Sequence, residues 1–570
     1  MIITVVVVSI LLLLLGYVFY GRFLANRLQL NDSNPTPACT INDGVDYVPA
    51  KPGMLLGQHL SAISAAGPII GPILAALWFG WLPALIWIVV GAIFIGGVHD
   101  FLSLVVSIRH KAASIGQIVK EYMSRTSYIL FLSFVWLALV YVIIAFTDIT
   151  AQTFKTMSAE VAFGPGVAAS SVLYIMLSII MGILLYRFNL NLKIATAIFV
   201  PLILVVVWLG PNMPSSLLNF LARITVKQWD VMLLVYCFAA SIMPMWLLLQ
   251  PRGYLGGWLL YLTIFIGLIG AIFGGFDVQY PSINTEGIKS IINGKPLFPI
   301  LFITIACGAC SGFHAIVNSG TTSKQLRRES DAKPVGYGAM LLEGLLAVLA
   351  LATVMMLPKG SDMLKEDPNL IYANGIAKYL NLMGINFSFA FPFALLAFST
   401  FVYDTLDVST RLARYILQEL LGLQTKIGGV IATVITLAVP LVFLLLTKEK
   451  GYMLAWPIFG ISNQLLASLA LLAISVWLIK TGKKSFYVII PMIFMMTVTL
   501  WSLIHHVLHS LSNMLGGPSI KPDMIISAIF GIVLFALSLW LMWEAVRVLV
   551  LKPSGSKESV KLQVNSHSDI

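Results

Sequence analysis

Ionisable side chains lie inside stretches that are otherwise apolar, six of them being His59, Asp100, His314, Glu343, Asp404 and Asp407. An ionisable group at the centre of a bilayer costs about 2.5 to 3.5 kcal/mol on insertion scales, so such groups face a protein interior or a wet cavity. The chemistry open to them there is proton binding and transfer, or cation coordination. His59 follows Gln58 and precedes two Gly-Pro pairs, Gly67-Pro68 and Gly71-Pro72. Asp100 follows His99, with Ser103 and Ser107 at helical spacing on its own face. His314 lies in GFHAIVNSGTTSKQL, which adds Asn318, Ser319, Thr321, Thr322 and Lys324. Asp404 and Asp407 stand in YDTLDVSTRLARYILQEL with Arg411 one turn further on. A local ion pair at the end of a helix is the plainer reading of that trio. For His59 or His314 taken singly, helix packing and proton chemistry weigh equally.

The Gly-Pro pairs resist a plain explanation. Proline removes a helix hydrogen bond and crowds the preceding turn, and a backbone group freed in hydrocarbon finds no solvent partner. Two such pairs just beyond a polar run predict an unwound segment at mid-membrane over Gly67–Pro72. A second interruption is expected in VMLLVYCFAASIMPMWLLLQP, at Ala240 to Pro244. Interrupted helices at corresponding places in two halves point to an inverted-repeat transporter with its substrate at the breaks. Exposed N–H groups there bind an anionic group and exposed carbonyls a cation. The expected substrate positions are therefore Gly67, Pro68, Gly71, Pro72, Ser241 and Pro244. His59, about two turns from the first break, is placed to sense or pass a proton.

Positioning these groups requires a membrane frame, and the composition supplies one. The chain of 570 residues is 59% hydrophobic and only 10% charged, with a mean hydropathy of +0.93. Water-soluble domains carry roughly 25% charged residues, so a soluble fold is excluded. Segments of about 20 apolar residues give fifteen spans. The first, near Ile2 to Tyr20, lacks the charged start and small-residue cleavage site of a signal peptide and reads as a retained helix. Others used below are Met54 to Phe79, Leu82 to Ile108, Val231 to Leu249 and Leu297 to Asn318. Lys and Arg fall roughly two to one on alternate connections, which places the N-terminus outside and the C-terminus in the cytoplasm. Direction of travel then puts all six ionisable groups in the cytoplasmic half. The net charge of +11 belongs to this topology and not to nucleic acid. Four cysteines, Cys39, Cys237, Cys307 and Cys310, are too few and scattered for a disulfide framework, and the CxxC of Cys307 and Cys310 reads as small packing residues. No HExxH and no GxxxxGK[ST] occurs, so neither a metal centre nor an ATP-driven pump is expected.

The stretches DGVDYVPAKPGMLLGQHLSAISAAGPIIGPILA, FGWLPALIWIVVGAIFIGGVHDF, SGFHAIVNSGTTSKQL, GYGAMLLEGLLAVLAL, TRLARYILQEL and WPIFGISNQLLA resemble the carbon starvation protein A family of peptide and pyruvate transporters. The likeness runs from Asp43 to about Leu472, and where the family often has two histidines this chain has Gln58-His59. The resemblance implies proton-driven uptake of small peptides or pyruvate, and a relation to the amino acid, polyamine and organocation superfamily. That superfamily's core is two inverted repeats of five helices. It further implies a coupling-cation position near Ser319, Thr321 and Thr322, because hydroxyl residues on the eighth core helix serve sodium-coupled relatives.

The resulting expectation is an all-α polytopic membrane protein with about fifteen transmembrane helices and a 5+5 inverted-repeat core. Residues 1–30 form an extra helix and 31–53 a cytoplasmic loop. Repeats occupy 54–210 and 231–415, additional helices 428–550, and a flexible cytoplasmic tail 551–570. Function is expected to be secondary active import of a carboxylate-bearing nutrient, peptide or pyruvate, by alternating access in the plasma membrane. Proton coupling would use His59, Asp100 and His314, with Asn318, Asp404 and Asp407 as further candidates for proton or sodium. No cofactor, resident metal or nucleic acid is expected, and monomer and homo-oligomer both stay open. An ion channel and a membrane nutrient sensor are the alternatives. Asn463 and Gln464 in SNQLLA fall outside the expected core, as packing amides.

Overall fold

The computed structural model describes residues 1–43, 47–158, 161–285, 296–423, 425–447, 450–516 and 522–551. The tail expected at 551–570 lies, beyond its first residue, outside the described residues. Regular structure among them is helical apart from a pair of two-residue strands, Met157–Ser158 and Val161–Ala162, and one bridge between Ala50 and Leu326. Among the described residues twelve helices are long and apolar enough to cross a membrane, or thirteen if the bent pair Pro52–Ile63 and Gly67–Phe79 is one span. Fifteen expected spans exceed this by two. One of the two is the helix Val226–Ile242, at 17 residues shorter than a full crossing of that kind. The other, Leu297 to Asn318, is divided into Leu297–Thr304 and Gly312–Gly320.

Burial sorts the helices by their polar content. The apolar windows of Phe387–Leu421 and Ala455–Lys480 are 94% buried, whereas those of Ile2–Leu28 and Leu192–Leu209 are 28% buried. The first two carry Asp404, Asp407, Asn463 and Gln464, and the outer pair offers lipid an aliphatic surface. Polar side chains need protein partners where hydrocarbon provides none. Phe387–Leu421 packs along Arg125–Thr153, Glu329–Met355 along Gly67–Phe79, and Gly312–Gly320 along Gly97–Arg109.

The first break is present but displaced from its expected place. Helix ends at Ile63, Ser64 takes φ −81° and ψ 83°, and the next helix starts at Gly67 with Pro68 in its first turn. Proline suits that position, where its missing N–H would have no helical partner. Gly67-Pro68 thus begins a helix where an unwound segment was expected, and Pro72 lies inside the same helix. The two halves meet at 48°.

The second break is not where the sequence placed it. Val226–Ile242 is continuous, and Met243 and Pro244 belong to the turn that leads to Leu249–Phe273. Proline here ends one helix instead of interrupting a span. A different stretch is interrupted, Ile305 to Ser311, between Leu297–Thr304 and Gly312–Gly320. It faces the first break directly. A Cβ on Gly67 would lie 2.3 Å from Cys307 Sγ, and one on Gly71 would lie 2.5 Å from the Thr304 carbonyl oxygen. Small residues let two membrane helices approach this closely.

Backbone groups freed at the second break are met from other helices. Trp87 Nε1 donates to the Ile305 carbonyl at 3.1 Å, and Gln464 Nε2 to the Phe302 carbonyl at 3.1 Å. Asn463 Oδ1 accepts from the Phe313 N–H at 2.9 Å and the Ser311 hydroxyl at 3.2 Å. At the Lys- and Arg-rich ends the two interrupted elements are tied together. The Ala50 N–H donates to the Gln325 carbonyl at 2.9 Å. Separately, Arg109 Nε at the end of Gly97–Arg109 donates to Glu329 Oε1 at 2.9 Å and so joins that helix to Glu329–Met355.

Candidate functional site

One fully buried network joins three helices. Asp100 Oδ1 lies 2.7 Å from His99 Nδ1, and Asp100 Oδ2 lies 2.7 Å from His314 Nδ1. His314 Nε2 in turn is 3.2 Å from Glu343 Oε2, near enough for an ion pair though not aligned as a hydrogen bond. Asn318 Nδ2 donates to the Asp100 carbonyl at 3.2 Å. An ionised carboxylate only accepts, so each Nδ1 facing Asp100 carries its hydrogen. That leaves His314 Nε2 and Glu343 to share one further proton. With the proton on Glu343 the carboxyl can donate to Nε2; with it on Nε2 an imidazolium lies between two carboxylates.

A second network contains a residue the sequence reading missed. Arg252 is fully buried, and its Nη1 donates to both Asp407 Oδ2 and the Tyr236 hydroxyl. Tyr236 donates to Asp407 Oδ2 at 2.9 Å. The guanidinium carbon sits 5.2 Å from the Tyr403 ring centre, a cation–π arrangement. Asp404, one turn before Asp407, instead accepts from the Ser61 hydroxyl at 2.5 Å, which links Phe387–Leu421 to the half-helix carrying His59. Arg411 pairs with neither carboxylate. Its Nη2 donates to the carbonyls of Ala240 and Met243 at 2.8 and 2.6 Å. The expected local ion pair of Asp404, Asp407 and Arg411 is therefore replaced by a pair across helices with Arg252. In sequence Arg252 stands in QPRGY between two apolar runs, where it passes for a topology anchor.

Between the two networks lies a recess of about 30 Å³ lined by Gln58, His59, Thr321, Thr322, Gln325 and Asp404, among others. His59 Nδ1 is 2.9 Å from the Thr322 hydroxyl, while His59 Nε2 and Asp404 Oδ1 have no hydrogen-bond partner. The recess shares Met245, Leu249, Thr321, Gln325 and Val408 with a cleft of about 610 Å³. Lys111, Lys324 and Arg411 line that cleft, together with Glu121 and Glu419.

The remaining expected residues divide. Gly67, Pro68, Gly71 and Pro72 are buried in the helix contact with Thr304–Cys307 and line neither cavity. Ser241 and Pro244 lie at a helix end, where Arg414 Nη1 donates to the Ser241 carbonyl at 2.6 Å. Ser319 and Thr321 bond back to the Ala315 and Val317 carbonyls at 2.7 and 2.9 Å, so with Thr322 turned to His59 the three hydroxyls do not converge. Asp148, which is not one of the expected residues, accepts from the Tyr452 N–H at 2.6 Å and caps the helix Gly451–Lys480.

Comparison with known proteins shows the family of the chain. The family model described as carbon starvation protein CstA matches residues 1–365 and 359–502. A peptide transporter CstA of Helicobacter pylori is 32% identical, with 87% of this chain and 81% of the relative covered. A peptide transporter CstA of Bacillus subtilis is 31% identical, with 85% and 87% covered. The pyruvate/proton symporter BtsT of Escherichia coli is 29% identical, with 88% and 81% covered. A crystal structure of an Eremococcus coleocola manganese transporter overlays 89% of this chain at 14% identity with a TM-score of 0.44, too low for its fold to be carried over.

Proposed function

Because this chain belongs to the carbon starvation protein CstA family, we propose that it is a proton-coupled secondary transporter importing a small carboxylate-bearing nutrient, a peptide or pyruvate, across the plasma membrane. The observation that carries this is the fully buried chain Asp100–His314–Glu343 beside two facing helix breaks. Its proton moves between Glu343 Oε2 and His314 Nε2 while Asp100 holds the imidazole through Nδ1. A relay buried this deeply serves a coupled transporter, since a channel gains nothing from storing one proton. The cleft lies on the Lys- and Arg-rich side, so the form described is inward-open, with the N-terminus outside and the C-terminus in the cytoplasm. The core is two halves of opposite sense, the first opening at Ser64–Ala66 and the second at Ile305–Ser311, which moves the start of the second half from residue 231 to 297. The helices around those breaks rock against Arg125–Thr153 and Phe387–Leu421, and the Ser61–Asp404 bond crosses the moving boundary.

Reconstituted vesicles test this reading. Labelled pyruvate and labelled dipeptides are offered under an imposed proton gradient and, separately, a sodium gradient. Uptake above equilibrium that a protonophore abolishes is expected. Uptake that never concentrates the solute, or that follows sodium alone, contradicts it.

A further inference from the structure

The recess holds a buried carboxylate and the cleft three cations against two carboxylates, and this polarity names a substrate class. We infer that the recess beside Asp404 holds the ammonium group of an amine-bearing substrate, so the cargo is a zwitterion with a free amino end, such as a short peptide, and not a 2-oxo acid. This rests on the carrier reading above. A recess of about 30 Å³ admits one non-hydrogen group, since a water needs roughly 10–15 Å³ of such space. Its unpartnered buried atoms, Asp404 Oδ1 and His59 Nε2, can both accept. Asp404 Oδ1 is buried and unpartnered, and the cation that could have neutralised it, Arg252, is bonded to Asp407. His59 Nε2 accepts when Nδ1–H donates to Thr322, and Gln58 and Gln325 add amide oxygens. A primary ammonium brings three N–H donors and no acceptor. A buried carboxylate oxygen with no partner is costly, and a charge-assisted bond to an ammonium is its natural complement.

The other end of the site suits a carboxylate. Lys111, Lys324 and Arg411 line the cleft and outnumber its two carboxylates, Glu121 and Glu419, and Arg411 Nε has no hydrogen-bond partner. A peptide with its amino end in the recess extends its carboxylate toward these cations. A 2-oxo acid offers only acceptors and would set a second anion against Asp404.

The test uses the full chain in proteoliposomes under a proton gradient, with labelled alanyl-alanine as the probe. Unlabelled alanyl-alanine, N-acetyl-alanyl-alanine and pyruvate serve as competitors. Wild-type protein is expected to favour the free dipeptide over the acetylated one at least about tenfold, the value of one charge-assisted hydrogen bond. Asp404→Asn is expected to lose alanyl-alanine uptake by a similar factor, and Asp404→Glu to retain part of it. Equal transport of free and acetylated dipeptide by the wild type overturns the assignment without recourse to any variant. Saturable pyruvate uptake that alanyl-alanine does not inhibit overturns it while leaving the carrier reading intact. Sodium dependence that vanishes in Asp404→Asn, with no preference for the free amine in the wild type, gives the recess to a metal cation and also overturns it. Absence of uptake of every solute under either gradient removes the carrier reading and this assignment together.

Discussion

At the scale of single residues, two buried networks invite different experiments. Asp100 grips His314 through Nδ1 and leaves Nε2 to the proton shared with Glu343. His314→Gln keeps a hydrogen-bonding side chain but cannot hold that proton, so proton-driven accumulation is expected to vanish while solute exchange across the membrane continues. Loss of both, in protein that still elutes as a single species, assigns His314 a structural role instead. Arg252 poses a stability question. Removing one partner of a buried ion pair costs about 3–5 kcal/mol, whereas removing both costs less. Arg252→Gln is expected to lower the unfolding midpoint in detergent strongly, and Arg252→Gln with Asp407→Asn to recover part of the loss. Additive effects in that cycle would show the pair to be uncoupled. Histidines and acids within apolar runs announced the first network, because side chains of that kind enter hydrocarbon only with a partner. Arg252 gave no such signal, since its depth depends on where the turn after Ile242 falls.

At the scale of elements, the two breaks are mutually dependent. Gly67→Ala would drive its new methyl into Cys307, and Gly71→Ala would drive one into the Thr304 carbonyl. Overpacking of this kind costs about 1–3 kcal/mol. Transport by Gly67→Ala is expected to fall severalfold and to recover in part with Cys307→Gly, which removes the obstructing side chain. Gly71→Ala meets main chain, so no side-chain substitution at Cys307 should rescue it. Recovery of both by Cys307→Gly would place the contact elsewhere. Gly67-Pro68 made the first break legible, although proline's fitness for a first turn shifts the unwinding to Ser64–Ala66. The second carries no proline within Ile305 to Ser311; its only trace is the run of small residues ACGACSG, read as ordinary packing. Asn463 and Gln464, set apart as packing amides, turn out to hold that break in place through the chain's own freed backbone groups.

At the scale of the whole molecule, composition alone fixed the membrane class, since 10% charged residues cannot clothe a soluble protein. The number of crossings was less legible, because a 17-residue helix and a divided one satisfy hydrophobic counting without being ordinary spans. Orientation has a direct handle. Cys39 is the one exposed cysteine, the other three being buried. In intact cells a membrane-impermeant maleimide is expected to leave the protein unlabelled and, after permeabilisation, to modify Cys39; labelling before permeabilisation reverses the topology. The central claim is that cargo binds in the recess and cleft next to two helices that lose their coil face to face. A cryo-electron microscopy map of the full chain with alanyl-alanine bound tests it most directly. The account predicts interruptions at Ser64–Ala66 and Ile305–Ser311 and solute density in the cleft beside Asp404. Two continuous helices at those positions, or solute bound away from Asp404 and the cleft, would contradict it.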